Sequence, residues 1–194
     1  MAGELTVVKV GGSLYELPDL RTRLWRWFDA LPGEAVLVPG GGATADAVRD
    51  LDRWQQLGEE KAHWLALHAL SLNAGFLDAL LAPSLLVDGA RDCRGHGPGV
   101  VPVLDPQRFV LSDEGSPDHL PHSWDVTSDS VAARFAVVSG ARSLVLLKSV
   151  TIPPDMSWAE ASQLGFVDVM FPRLIERAGP GLRVEAVNFR EWRP

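Results

Sequence analysis

The sequence predicts an α/β sandwich with a largely parallel central sheet. Two observations carry this. Short apolar, β-branched runs alternate with segments of helical periodicity along the whole chain. One of the runs, AVLV (35–38), is also short and wholly apolar, the signature of a buried strand.

Residues 5–10, LTVVKV, read as the first strand, ended by Gly11-Gly12 in a tight turn. Leu20, Leu24, Trp27, Phe28 and Leu31 recur at helical spacing, so 18–31 reads as a helix. AVLV (35–38) is a second buried strand, punctuated by Pro39 and Gly40-Gly41-Gly42, and a helix starts at about residue 43. A longer helical pattern covers 59–82 and stops before Pro83. SLLVD (84–88) reads as a strand and the glycine-rich 89–99 as a loop. VVPVL (100–104) reads as a strand, and 108–111 as a further one. Residues 112–124 are polar and contain proline, so they read as loop. TSDSVAARFAVVSG (127–140) is a helix with Thr127 or Ser128 as N-cap and Gly140 as stop. SLVLL (143–147) is a strand, 157–163 and 168–178 are short helices, and 182–188 is a last strand.

The 194 residues suit one domain, and neither a repeat nor a linker interrupts them. A single cysteine, Cys93, excludes an internal disulfide framework and a cysteine-rich zinc site. The net charge of −7 argues against general nucleic-acid binding. No apolar run was expected to reach membrane-spanning length, and MAGELTVVKV is unlike a signal peptide, so the expectation is a cytoplasmic protein with no membrane partner.

Chemistry is expected beyond the carboxyl ends of the strands. Both glycine clusters lie there, and glycine lets a backbone approach a phosphate closely. Two such turns in one small domain suggest a polyphosphate held between them. Neither a P-loop nor a Rossmann fingerprint is present. Instead Lys9 precedes Gly11, Gly12 and Ser13. Of 18 basic side chains only Lys9, Lys61 and Lys148 are lysines, and Lys9 and Lys148 sit in or beside apolar runs. The plainer reading of Lys9 is a tight turn with a snorkelling lysine, and of Lys148 a surface cation. Asp129 is the carboxylate to single out, its plainer role being favourable charge in a helix first turn. Asp46 and Arg49 share a polar helix face near the second turn, where solvated ion pairs are the commonest outcome. His63, beside Trp64, is a candidate pocket residue or a packed histidine. Asp92, Cys93 and His96 have ligand chemistry without convincing spacing, and His119 and His122 fall in a polar loop without an assigned role. No metal site is read from the sequence.

The segments VVKVGGSL (7–14), VLVPGGGATADAVR (36–49), GVVPVL (99–104), SWDVTSDSVAARFA (123–136) and SLVLLKSV (143–150) resemble, in order, the amino acid kinase superfamily. That superfamily includes acetylglutamate, aspartate, carbamate and uridylate kinases. KAHWLALHAL (61–70), the WDVTSDS run and GFVDVMF (165–171) resemble a short branch of it. That branch includes the methanofuran-pathway kinase, which phosphorylates an aminomethylfuran-methyl phosphate, and it is linked to one-carbon metabolism. The resemblance implies a three-layer αβα sandwich in one domain, 1–194, with ATP and a small anionic acceptor end to end over the strand ends, Mg²⁺ as cofactor and a homo-oligomer.

It further implies that Lys9 stabilises the transferring phosphoryl. Gly11, Gly12 and Ser13 would form the first phosphate turn, and Gly40, Gly41 and Gly42 the second. Asp129 would organise the catalytic lysines, with Thr127 and Ser128 beside the acceptor and Lys148 near the nucleotide. One departure stands out. Many members have a second catalytic lysine late in the chain, and none follows Lys148 here. Lys148, Arg173 and Arg177 are the candidates for that cation. The readings left open are a kinase for a phosphate or carboxylate acceptor, a kinase for an acylated amino acid or nucleoside monophosphate, and a silent nucleotide-binding relative.

Overall fold

A computed structural model describes residues 3–97 and 99–193. Among these, six strands form one sheet in the order β3-β4-β2-β1-β5-β6. They are β1 (Leu5–Val10), β2 (Glu34–Pro39), β3 (Ser84–Val87), β4 (Val101–Leu104), β5 (Ser143–Lys148) and β6 (Arg183–Asn188). Every pairing is parallel. The helices are α1 (Leu20–Ala30), α2 (Gly42–Gln55), α3 (Glu59–Leu81), α4 (Pro106–Asp113), α5 (Ser128–Val138), α6 (Trp158–Gln163) and α7 (Phe171–Ala178).

The four inner strands, β4, β2, β1 and β5, are largely buried on both faces, so they need no alternation of polar and apolar residues, whereas the edge strands β3 and β6 stay partly exposed. On one face Leu5, Val7, Val36, Val38, Leu144 and Leu146 meet α5, α4 and α7. On the other Val8, Val10, Leu37, Val145 and Leu147 meet Leu20, Leu24 and Trp27 of α1. Helix α3 serves both cores: Leu67 and Leu70 join the first, Ala74, Leu77 and Leu81 the second.

Two expectations need correction. Residues 108–111 are not a strand but the middle of α4. The Asp105 carboxylate caps that helix by accepting from the Arg108 amide at 3.2 Å, and Pro106 occupies its first turn. Those start signals override the β-propensity of Phe109 and Val110. The second concerns length. Helix α3 has 23 residues and is apolar enough, by composition, to cross a membrane. Leu67, Leu70, Ala74, Leu77 and Leu81 instead feed the two cores, Leu65, Leu72 and Phe76 stay exposed, and the Asn73 amide is spent on the glycine turn described below.

The last short helix begins at Phe171, three residues later than expected, because Asp168 stays outside it as a capping acceptor.

Candidate active site

Side chains alternate along a strand, so Lys9 shares the face of Leu5 and Val7, the one covered by α5. Lys148 follows Leu144 and Leu146 by the same parity and reaches the same face. Strands β1 and β5 are neighbours, with Lys9 level with Leu146, so the two lysines emerge side by side at the strand ends. The first turn of α5 points Asp129 at both. Lys9 Nζ lies 2.8 Å from Asp129 Oδ1, and Lys148 Nζ donates to Asp129 Oδ2 at 2.7 Å. Lys148 also donates to the Phe166 carbonyl at 2.7 Å.

Lys9 and Asp129 are each 5% exposed. Burying two ammonium groups on one carboxylate leaves excess positive charge in a poorly hydrated place, an arrangement that favours an anion. Burial pushes the Asp129 carboxyl up, but Lys9 and Lys148 outweigh it and hold it below the usual carboxylate range. Lys148 is lowered to about 8, by burial first and by Lys9 second, against the pull of Asp129. Of the three candidates for the second cation, Lys148 is the one on Asp129. Arg173 and Arg177 are exposed on α7.

The glycine turns meet each other. A Cβ on Gly12 would overlap the Gly42 amide, and one on Gly40 would overlap the Gly12 nitrogen and the Val10 carbonyl. Both positions therefore require glycine for close backbone approach. Not every amide of the two turns is free. Gly11 N–H donates to the Leu147 carbonyl at 2.8 Å, and Gly40 N–H donates to the Tyr15 hydroxyl at 2.8 Å. The amides of Gly12, Gly41 and Gly42 stand at helix starts, where amides have no intrahelical acceptor.

Three bracing residues went unrecognised in the sequence. Tyr15 donates back to the Gly40 carbonyl at 3.0 Å. Asn73 Nδ2 lies 2.7 Å from the Gly40 and Gly41 carbonyls and 2.8 Å from Thr44 Oγ1. Asp168 accepts from the Thr127 amide and hydroxyl, the Ser130 amide and hydroxyl, and the Phe171 amide. One carboxylate thus caps both α5 and α7. Burial and the nearby Asp129 charge raise its pKa, and the Ser130 and Thr127 donors oppose them. The only hint was the aspartate in GFVDVMF, three residues before a phenylalanine that starts a helix.

Beside the triad a small cleft of about 120 Å³ opens between α2, α3 and the start of α5. Gly41, Gly42, Arg49, His63, Trp124, Thr127 and Ser128 line it, with Leu67, Leu70 and Val131 as apolar floor. His63 is 3% exposed, and its Nε2 has no hydrogen-bond partner among the described residues. Burial, then the neighbouring His122, lowers its pKa, so it stays neutral near pH 7. The Arg49 guanidinium lies 4.9 Å over Trp124 and pairs with Asp46 at 2.8 Å. Asp46 and Ser13 do not line this cleft. They flank a separate depression with Gly12 and Thr44, and Ser13 Oγ donates to Ser149 Oγ at 2.9 Å. Asp92, Cys93 and His96 do not assemble as ligands: Cys93 donates to the Ala90 carbonyl and His96 bonds the Asp92 carbonyl.

The profile described as the amino acid kinase family matches residues 4–151. The [5-(aminomethyl)furan-3-yl]methyl phosphate kinase of Methanocaldococcus jannaschii is 27% identical over 151 residues. That match covers 74% of this chain and 65% of the relative, so the chain spans slightly under two thirds of that protein's length. Uridylate kinase from Archaeoglobus fulgidus superposes with a TM-score of 0.63 at 14% identity, over 96% of this chain and 92% of that one. UMP kinase from Bacillus anthracis gives 0.63 at 12% identity, over 98% and 89%. At those identities the likeness is one of fold, and it agrees with the all-parallel αβα sandwich. With the family profile spanning the strand ends that carry Lys9, both glycine turns, Asp129 and Lys148, the chain belongs to the amino acid kinase family.

Proposed function

We propose that this protein is an ATP-dependent small-molecule kinase, which transfers the γ-phosphoryl in line to an anionic phosphate or carboxylate acceptor. The observation that carries this reading is the buried pair of lysines on Asp129, beside two glycine turns that touch. Phosphoryl transfer needs positioning and charge neutralisation more than covalent chemistry. Lys9 and Lys148 neutralise charge developing on the transferred group, and Asp129 holds both ammonium groups in register. The amides of Gly12, Gly41 and Gly42 hold its oxygens. An ionised acceptor needs no strong base.

The residues do not build a separate Mg²⁺ cage at this point, because both Asp129 oxygens are engaged by lysines. Mg²⁺ fits instead as the nucleotide's own counterion, held mainly by phosphate oxygens. It supplies charge neutralisation there.

The cleft suits a compact acceptor with a flat apolar body and an anionic end. Leu67, Leu70 and Val131 take the body, while His63, Arg49, Thr127 and Ser128 take the charged end. The furan phosphate acted on by the archaeal relative has that chemistry, so it heads the acceptor panel. The branch's link to one-carbon cofactor synthesis enters on the same footing. Leu65, Leu72 and Phe76 are exposed along one stripe of α3, which supports the homo-oligomer.

The test is ADP formation by the purified protein with ATP, Mg²⁺ and a panel of phosphorylated, carboxylated and nucleoside monophosphate acceptors. Acceptor-dependent ADP is expected with a phosphate or carboxylate acceptor. ATP binding without turnover on any acceptor would favour the silent relative, which the lack of a lysine after Lys148 also fits.

The depressed Lys148 pKa gives a second prediction, with opposite signs for activity and stability. The rate kcat/KM reports groups of the free enzyme, so it should fall as pH rises through about 8 and the Lys148 charge is lost. Folding stability moves the other way. Below that value both states hold the proton and the full cost of burying the charge is present. Between about 8 and the ordinary 10.5 the unfolded chain binds more protons than the native one. The Lys148 contribution to stability therefore rises with pH across that window. A pH series of kcat/KM and of urea midpoints checks both limbs.

A further inference from the structure

The loop between α4 and α5 carries two histidines, His119 and His122, that the kinase reading does not use. The chain has five histidines, and His63, His119 and His122 converge here. One ligand atom each from Glu114, His119 and His122 lies within 4.8 Å of the other two. His122 Nε2 is already 2.9 Å from Glu114 Oε1. We propose that Glu114, His119 and His122 form a binding site for a borderline divalent cation of the Zn²⁺ type, which fastens this loop beside the acceptor cleft.

The donor set fits. Two imidazoles and one carboxylate are ligands that Zn²⁺ takes with a fourth position left for water. The same set disfavours Mg²⁺, which prefers an all-oxygen shell, so this site is distinct from the nucleotide's counterion. Tetrahedral bonds of about 2.0–2.1 Å put ligand atoms roughly 3.3 Å apart. Side-chain rotation of about an ångström or two closes the triangle from its present size.

The second layer of contacts is also in place. His119 Nδ1 faces the Leu120 carbonyl at 3.2 Å. A carbonyl can only accept, so Nδ1 is the protonated nitrogen and Nε2 carries the lone pair. His122 Nδ1 lies 3.9 Å from Glu60 Oε1 on α3, beyond hydrogen-bond distance but within reach of a glutamate rotamer change that would let this carboxylate orient the imidazole. Leu120, between the two histidines, is 2% exposed and anchors their backbone in the core. Arg134 grips the base of the loop, with Nε 2.7 Å from Asp113 Oδ2 and Nη2 2.6 Å from Ser116 Oγ. The histidines are thus presented by a braced loop.

The consequence reaches the cleft. The His122 ring stacks on His63, with centroids 5.2 Å apart and 20° between planes, and His63 lines the cleft with an unpartnered Nε2. Trp124, on the same loop, lines it too and donates to Asp52 Oδ2 at 2.8 Å. A cation on His122 would fix the His63 ring and the Trp124 wall together.

The test uses the untagged full chain, demetallated and titrated with Zn²⁺ alone by calorimetry, without nucleotide or acceptor. It is therefore independent of the kinase reading. One Zn²⁺ per chain is expected. His119→Ala should weaken binding at least tenfold, and because His119 is exposed that variant keeps its fold, as circular dichroism would verify. Glu114→Gln should weaken it too, whereas His96→Ala should not. Hydrogen exchange across residues 115–123 should slow when Zn²⁺ is added to the wild type and not to His119→Ala. No stoichiometric binding, or binding unchanged in both His119→Ala and Glu114→Gln, overturns the proposal.

Discussion

Lys9→Met is expected to lower kcat by about 10²–10³-fold, the loss typical of removing one preorganised donor aimed at developing charge. The substitution keeps the length and apolar stem of the side chain while deleting its ammonium. Asp129 then retains Lys148 as a partner, so no carboxylate is stranded in the core. The loss should therefore fall on kcat and on kcat/KM alike, as for an interaction made chiefly in the transition state. Steady-state ADP formation on the best acceptor of the panel measures it. Turnover within a few-fold of the wild type would remove Lys9 from the mechanism, and with it the main support for the kinase reading.

Asp129→Asn is expected to cost more in stability than any other single change at the site. It removes the one buried carboxylate that partners two ammonium groups, each within 2.8 Å. Breaking a buried ion pair from one side typically costs about 3–5 kcal/mol, because the remaining charge has neither water nor a partner. Urea unfolding at neutral pH reads this out. The variant should also recover part of the loss when Lys9→Met is added, since one stranded charge is removed. Double-mutant coupling of about 0.5–3 kcal/mol is the expected scale for residues in direct contact. Additive losses would show that the Lys9–Asp129 contact contributes little. A further consequence concerns anions. With Asp129 neutral the pocket carries more positive charge, so millimolar phosphate should raise the unfolding midpoint of Asp129→Asn more than that of the wild type.

Much of the candidate site is legible in the sequence, and the reason is local. Gly11-Gly12 and Gly40-Gly41-Gly42 each follow an apolar run, and in a parallel sheet that position is a strand's carboxyl end. Lys9 stood out because a charge inside LTVVKV has nowhere to go but the strand end. Asp129 stood out as an acidic residue in a helix first turn. The parts that were missed act across the fold. Asp168 looks like an ordinary loop aspartate until α5 and α7 both deliver their first amides to it. Asn73 sits in an apolar helix and Tyr15 in a turn, and neither advertises that it bonds Gly40. Residues 108–111 misled because Phe109 and Val110 favour strands, while the Asp105 cap and Pro106 decide for helix.

The sequence by itself determined the order of strands and helices apart from α4, the two glycine turns and the first lysine. These depend on periods of 2 and 3.6 residues and on glycine's freedom, which neighbours along the chain express. The tertiary structure decided which cation joins Lys9 and how the loop histidines are grouped. The strand order β3-β4-β2-β1-β5-β6 puts β5 against β1, and the shared parity of Lys9 and Lys148 then turns both onto α5. A lysine that reads as a surface cation at the end of SLVLLK becomes a buried partner of Asp129, because side-chain environment is set by the neighbouring strand and helix rather than by adjacent residues.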